Sequence, residues 1–80
     1  GQGETGQVTG VVTDPSGAIV PGATIIVRSD RTGTTRTVTT DSEGSFQFTN
    51  LQPGPYQLTA SGQNFQEVKR TIEVTVGGRT

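Results

Sequence analysis

Turn signals cut this chain into pieces of roughly eight to twelve residues, the spacing of strands in a sandwich or barrel and too tight for ordinary helices. Three signals share the form Asp-x-x-Gly: Asp14-Pro15-Ser16-Gly17, Asp30-Arg31-Thr32-Gly33 and Asp41-Ser42-Glu43-Gly44. A type I turn takes Asp first and Gly fourth, and Pro15 in second place makes the first of them near ideal. Gln52-Pro53-Gly54 is a fourth break, since proline has no ladder donor and glycine accepts positive φ. A fifth is expected at Gly62-Gln63-Asn64.

The stretch from Thr40 to Leu58 is the organising segment. Phe46 and Phe48 alternate with Ser45, Gln47 and Thr49, so both rings point to one face of a strand. Beyond the Pro-Gly break, Tyr56, Leu58 and Ala60 alternate in the same sense. The chain has three Phe and one Tyr, and three of these four rings fall here, which marks the segment as the nucleus of the core.

The remaining strands follow from the same period of two. The first, Gln7 to Thr13, turns Val8, Gly10 and Val12 to one side, with Gly10 marking close approach of another backbone. Ala18 to Gly22 is apolar enough to fold over the end of the core. The second strand, Ala23 to Ser29, buries Ala23, Ile25 and Val27 and exposes Thr24, Ile26 and Arg28. Thr34 to Thr40 has only Val38 as an apolar residue and reads as an edge strand with a wet outer face. Phe65 and Val68 anchor the approach to a last strand, Arg70 to Val76, which buries Ile72, Val74 and Val76. Residues 1–6 and 77–80 are read as flexible linkers flanking a domain of residues 7–76. Six or seven short strands and no helix predict an all-β chain, a single Greek-key β-sandwich of two packed antiparallel sheets.

Composition narrows the chemistry. Among 80 residues there is no Cys and no His, so no disulfide can form and a metal would find only oxygen ligands. A net charge of -1 leaves no footprint for nucleic acid or an anionic membrane. The longest apolar runs, Ala18-Ile19-Val20 and Ile25-Ile26-Val27, are far too short for a membrane-spanning helix. The chain reads as a domain of a longer protein, and its Thr, Gly, Gln and Ser content suits an extracytoplasmic setting: periplasm, outer membrane or cell surface.

Four blocks, in order, carry a resemblance. Val8-Thr9-Gly10-Val11-Val12-Thr13-Asp14 with Gly17, Val20-Pro21-Gly22-Ala23-Thr24-Ile25, Thr40-Asp41-Ser42-Glu43-Gly44-Ser45-Phe46 and Leu51-Gln52-Pro53-Gly54-Pro55-Tyr56-Gln57-Leu58 resemble the carboxypeptidase regulatory-like domain. The resemblance runs from about Gln7 to Val76. It implies a sandwich of the transthyretin and starch-binding type. It also implies an accessory role: beside metallocarboxypeptidase catalytic domains, as surface repeats, or at the N-terminus of TonB-dependent outer-membrane receptors, which this sequence resembles most. The resemblance supplies no catalytic residue.

No catalytic, cofactor-binding or metal-binding residue is assigned, and the chain is expected to be neither an enzyme nor a cofactor carrier, because its acids sit singly in turns or at outward positions. Asp14, Asp30 and Asp41 could supply oxygens to calcium, yet each is expected to accept a backbone N–H within its own turn. Asp14 and Asp41 are expected at one end of the sandwich and Asp30 at the other. An isopeptide cross-link is disfavoured, because the only lysine is Lys69, late in the chain. Tyr56 follows a Leu-x-Pro-Gly corner and should bond a backbone group there. Inward rings argue against a sugar-stacking platform, although Gln47, Gln57, Gln63 and Gln66 could line a polar sugar surface. The function expected is a structural spacer and protein-interaction module of a larger bacterial envelope or surface protein. Its partners would be protein segments or neighbouring domains of the parent chain, reached through the edge strand near Arg36 and Thr37. A carbohydrate-binding module is the alternative, with a glycan as ligand. Nucleic acid is not an expected partner, nor does this domain insert into a membrane.

Overall fold

The computed structural model describes residues 4–62 and 65–77. Six strands make it up: β1 (Gly6–Val11), β2 (Thr24–Ser29), β3 (Thr35–Thr39), β4 (Ser45–Leu51), β5 (Gly54–Gly62) and β6 (Phe65–Val74). β1 and β4 pair in a two-stranded sheet, and the other four form a second sheet in the order β3-β2-β5-β6. Every pairing is antiparallel. β5 pairs with β2 and not with β4, its neighbour in sequence, so connections cross from sheet to sheet as in a Greek-key sandwich. No helix occurs among the described residues.

Alternation places the core where the sequence predicts it. Ile25, Val27, Leu58, Ala60 and Tyr56 point in from β2 and β5, and meet Val8, Phe48 and Leu51 from the smaller sheet. Phe48, Ile25, Val27 and Val74 are the largest side chains fully enclosed. Each such burial stabilises the fold by about 1.5–3 kcal/mol. Phe46 is half-buried beside Phe48, the rings edge to face with centroids 6.2 Å apart. β3 lies at a sheet edge, and of its side chains only Val38 is partly covered.

Several expectations are corrected. Gly10 admits the Phe46 ring and not a backbone: a Cβ there would come within 2.6 Å of the ring. The two residues face each other across β1 and β4, so the ring fills the space left by the missing side chain. The connection from Ala18 to Gly22 does not cover the core with its apolar residues. Ile19 is 48% exposed and bridges Thr13, because the backbone of Val20 is held instead by Val12 and Thr40. β1 begins at Gly6 and ends at Val11, short of Thr13.

β6 is displaced relative to its expected bounds, starting at Phe65 and ending at Val74. Val76 lies beyond it, 52% exposed, and Val68 is 40% exposed. The reason is that four strands face only two, so the Val68 end of the inner face of β6 has no layer above it. The turn expected at Gly62-Gln63-Asn64 and the anchoring ring of Phe65 lie outside the described residues.

Candidate functional site

Two of the three Asp-x-x-Gly turns are built as the sequence suggests. Asp14 Oδ1 accepts the Ser16 N–H at 2.9 Å, the Ser16 hydroxyl at 2.6 Å and the Ala18 N–H at 3.0 Å. Asp41 Oδ1 accepts the N–H groups of Glu43 at 2.9 Å and Ser45 at 3.0 Å. Gly17 and Gly44 close the turns by donating to the Asp14 and Asp41 carbonyls. These donors favour the ionised carboxylates. The Ser16 hydroxyl, followed by the Ala18 N–H, holds the Asp14 carboxyl below its ordinary value. The N–H groups of Ser45 and then Glu43 do the same for Asp41.

The third turn differs. Here Ser29 accepts the N–H groups of Arg31 at 3.2 Å and Thr32 at 3.3 Å through its buried hydroxyl, and the Gly33 N–H closes back onto the Ser29 carbonyl. Asp30 is left to accept Gln57 Nε2 at 3.4 Å. The loop therefore starts one residue earlier than its Asp-x-x-Gly form implies. The Val12 N–H donates to the Gly44 carbonyl, which brings the Asp14 and Asp41 turns to one end, while the Asp30 N–H bonds Pro55 at the other. Among the described residues no three acids come together as a metal site would need.

The Tyr56 hydroxyl donates to the Gln52 carbonyl at 2.8 Å, as expected of a tyrosine corner. Gln47 and Gln57 do not share a surface. Gln47 stands on the outer face of the smaller sheet and donates to Gln7 at 3.1 Å, whereas Gln57 stands on the outer face of the larger sheet between Asp30 and Thr71. Gln66 is exposed on β6, and Gln63 lies outside the described residues. Lys69 faces outward opposite Thr59.

Along the rim of the sandwich, among the described residues, β3 pairs only with β2 and β1 only with β4, so each has one backbone edge without a partner strand there. Arg36 does not decorate the outer face of β3. It sits in register with inward Val27, and its Nη1 donates to the Thr49 carbonyl at 2.6 Å, with the guanidinium 6.0 Å from the centre of the Phe48 ring. This residue thus clasps the two sheets together along the flank between β3 and β4. Thr37, by contrast, is exposed and outward, opposite half-buried Ile26.

Sequence reasoning did not single out Thr40, although it is one of two buried polar side chains of the described residues. Its hydroxyl donates to the Val20 carbonyl at 2.7 Å and accepts the Ala23 N–H at 2.8 Å, fastening a loop to the foot of the β2–β3 hairpin. Ser29 was missed for a similar reason. A Thr or Ser at the end of a strand gives no local sign that it is enclosed.

A family model described as the carboxypeptidase regulatory-like domain matches residues 7–80. A search of curated proteins found no match.

Proposed function

The chain belongs to the carboxypeptidase regulatory-like domain family, and we propose that it acts as a non-catalytic protein-interaction module of a larger bacterial envelope or surface protein, such as a TonB-dependent receptor. The observation that carries this reading is the match over residues 7–80. Two features of the molecule support it. A strand edge offers N–H and C=O groups to an extended partner, and β3 presents such an edge with exposed threonines beside it. The Gly77 N–H also donates to the Thr5 carbonyl at 2.9 Å, which holds the two ends of the described strands side by side.

Amide chemical shifts of the isolated domain, compared with and without the adjoining segments of its parent, test the proposal. Shifts along a strand edge are expected, and none on either edge would remove its basis. On a glycan array the domain should give only background, because Phe48 and Tyr56 are buried. Saturable binding there would replace this reading with a carbohydrate-binding one.

A further inference from the structure

One corner of the molecule combines arginines with a surface that holds no acid. From Arg28 to Arg36 the sequence carries three arginines and a single acid, and from Ser45 to Gln66 it carries no charged residue at all. The fold brings these two segments together. Between the turn after β2 and the corner after β4 lies a cavity of about 230 Å³, rimmed by Thr34, Arg36, Asn50 and Gln52 over a floor of Leu51 and Tyr56. Among the described residues no acid lines it. Asp30, the one acid of the arginine-rich segment, is drawn to Gln57 on the outer face of the larger sheet. Arg31 adds positive charge beside the same corner, since a Cβ at Gly54 would lie 3.2 Å from its Nε.

The rim is furnished with donors. Arg36 is fixed by its Nη1 bond to Thr49 and by the Phe48 ring, and among the described residues its other guanidinium N–H groups bond nothing. The Thr32 hydroxyl donates to the Thr34 hydroxyl at 2.9 Å and accepts the Thr34 N–H at 3.2 Å, which leaves the Thr34 hydroxyl proton to turn toward a ligand. The side-chain amides of Asn50 and Gln52 make no hydrogen bond among the described residues. A held guanidinium flanked by neutral donors, with no acid competing for it, is the set that takes a planar carboxylate.

We propose that this cavity binds a carboxylate, supplied by an acidic side chain of a partner polypeptide laid along β3. The inference rests on the reading above, that the domain docks protein segments, and adds what such a segment must carry. Size selects the occupant. Sites for whole small-molecule ligands run to about 300–1,000 Å³, and this cavity of about 230 Å³ suits the end of one side chain. Position agrees, because Thr34 and Arg36 bracket Thr35, the first residue of β3, so a segment pairing along that strand passes the cavity.

The test titrates the 80-residue chain with propionate, which reproduces the end of a glutamate side chain. The Thr34 amide, the Arg36 Nε–H and the side-chain amides of Asn50 and Gln52 should shift saturably in NMR spectra, with half-saturation on the order of 10 mM. Propionamide should leave them unmoved. Asn50→Asp puts an acid in the rim on a residue type that tolerates the left-handed backbone, so the chain should fold and binding should weaken at least about tenfold. Asn50→Gly should bind within about threefold of the parent chain, and Arg36→Gln should abolish binding. Absent shifts with propionate, or equal shifts with sodium chloride, would overturn the inference. Tighter binding of inorganic phosphate than of propionate would overturn it in favour of a phosphate site. Tighter binding of N-acetylglycine than of N-acetylglutamate methylamide would overturn it in favour of a chain terminus. If adjoining segments of the parent shift the β3 amides while propionate shifts nothing, this inference fails and the module reading stands.

Discussion

Thr40 and Ala23 are bonded to each other twice: the Ala23 N–H donates to the Thr40 hydroxyl at 2.8 Å, and the Thr40 N–H donates to the Ala23 carbonyl at 2.9 Å. The same hydroxyl donates onward to Val20, so one buried oxygen joins the loop, the start of β2 and the end of β3. Thr40→Val keeps the shape and strands two backbone groups, at an expected cost of about 2–4 kcal/mol in urea unfolding. Thr40→Ser keeps the oxygen and should cost about 1 kcal/mol or less.

Gly10 is required by the Phe46 ring, whose atoms would lie 2.6 and 2.7 Å from an added Cβ. Gly10→Ala should destabilise by about 1–3 kcal/mol. The half-buried ring can yield, so in a Phe46→Leu background the same change should cost much less. Additive effects of the two substitutions in denaturant unfolding would contradict this origin for the glycine.

Asn50 has φ of 59°, the one positive value among non-glycine residues described. It sits where β4 carries an extra residue against β1, between the pairs Gly6 with Leu51 and Val8 with Phe48. Asparagine tolerates this left-handed backbone, whereas alanine pays a steric penalty. Asn50→Ala should cost about 1 kcal/mol and Asn50→Gly close to nothing, read as shifts in the urea midpoint.

The Asp14 and Asp41 carboxyls are held below their ordinary value of 3.8 in the folded chain. A depressed folded value means that the stabilisation is present above the unfolded value and is lost as pH falls through the folded one. The melting temperature should therefore begin to fall below about pH 4. Asn at both positions keeps an oxygen to accept the turn N–H groups but does not titrate. The double variant should show a shallower decline under acid than the parent chain, and an identical decline would assign the acid sensitivity to other groups.

Much of the fold is legible in the chain because its signals are local. Alternation over a few residues tells which side chains share a face, and Ile25, Val27, Phe48, Leu58 and Tyr56 are buried accordingly. Pro-Gly and Asp-x-x-Gly spacing locates the reversals, and Asp14 and Asp41 cap their own turns as read. Tyr56 finds its carbonyl four residues back, within reach of inspection.

What alternation leaves open is whether another layer lies above a given face, since that depends on strands far away in sequence. Val68, Arg70 and Ile72 follow the inward pattern, yet among the described residues the smaller sheet ends at β1, so the first two stay exposed over a groove. Arg36 and Arg70 look alike as arginines in strands, but one finds the Thr49 carbonyl and the Phe48 ring across the gap and the other finds no partner among the described residues. Thr40 and Ser29 become buried hubs only when distant segments close over them. Facing and turning are properties of a few bonded neighbours, while covering is a property of the assembled sheets, and the candidate binding surface of this domain belongs to the second kind.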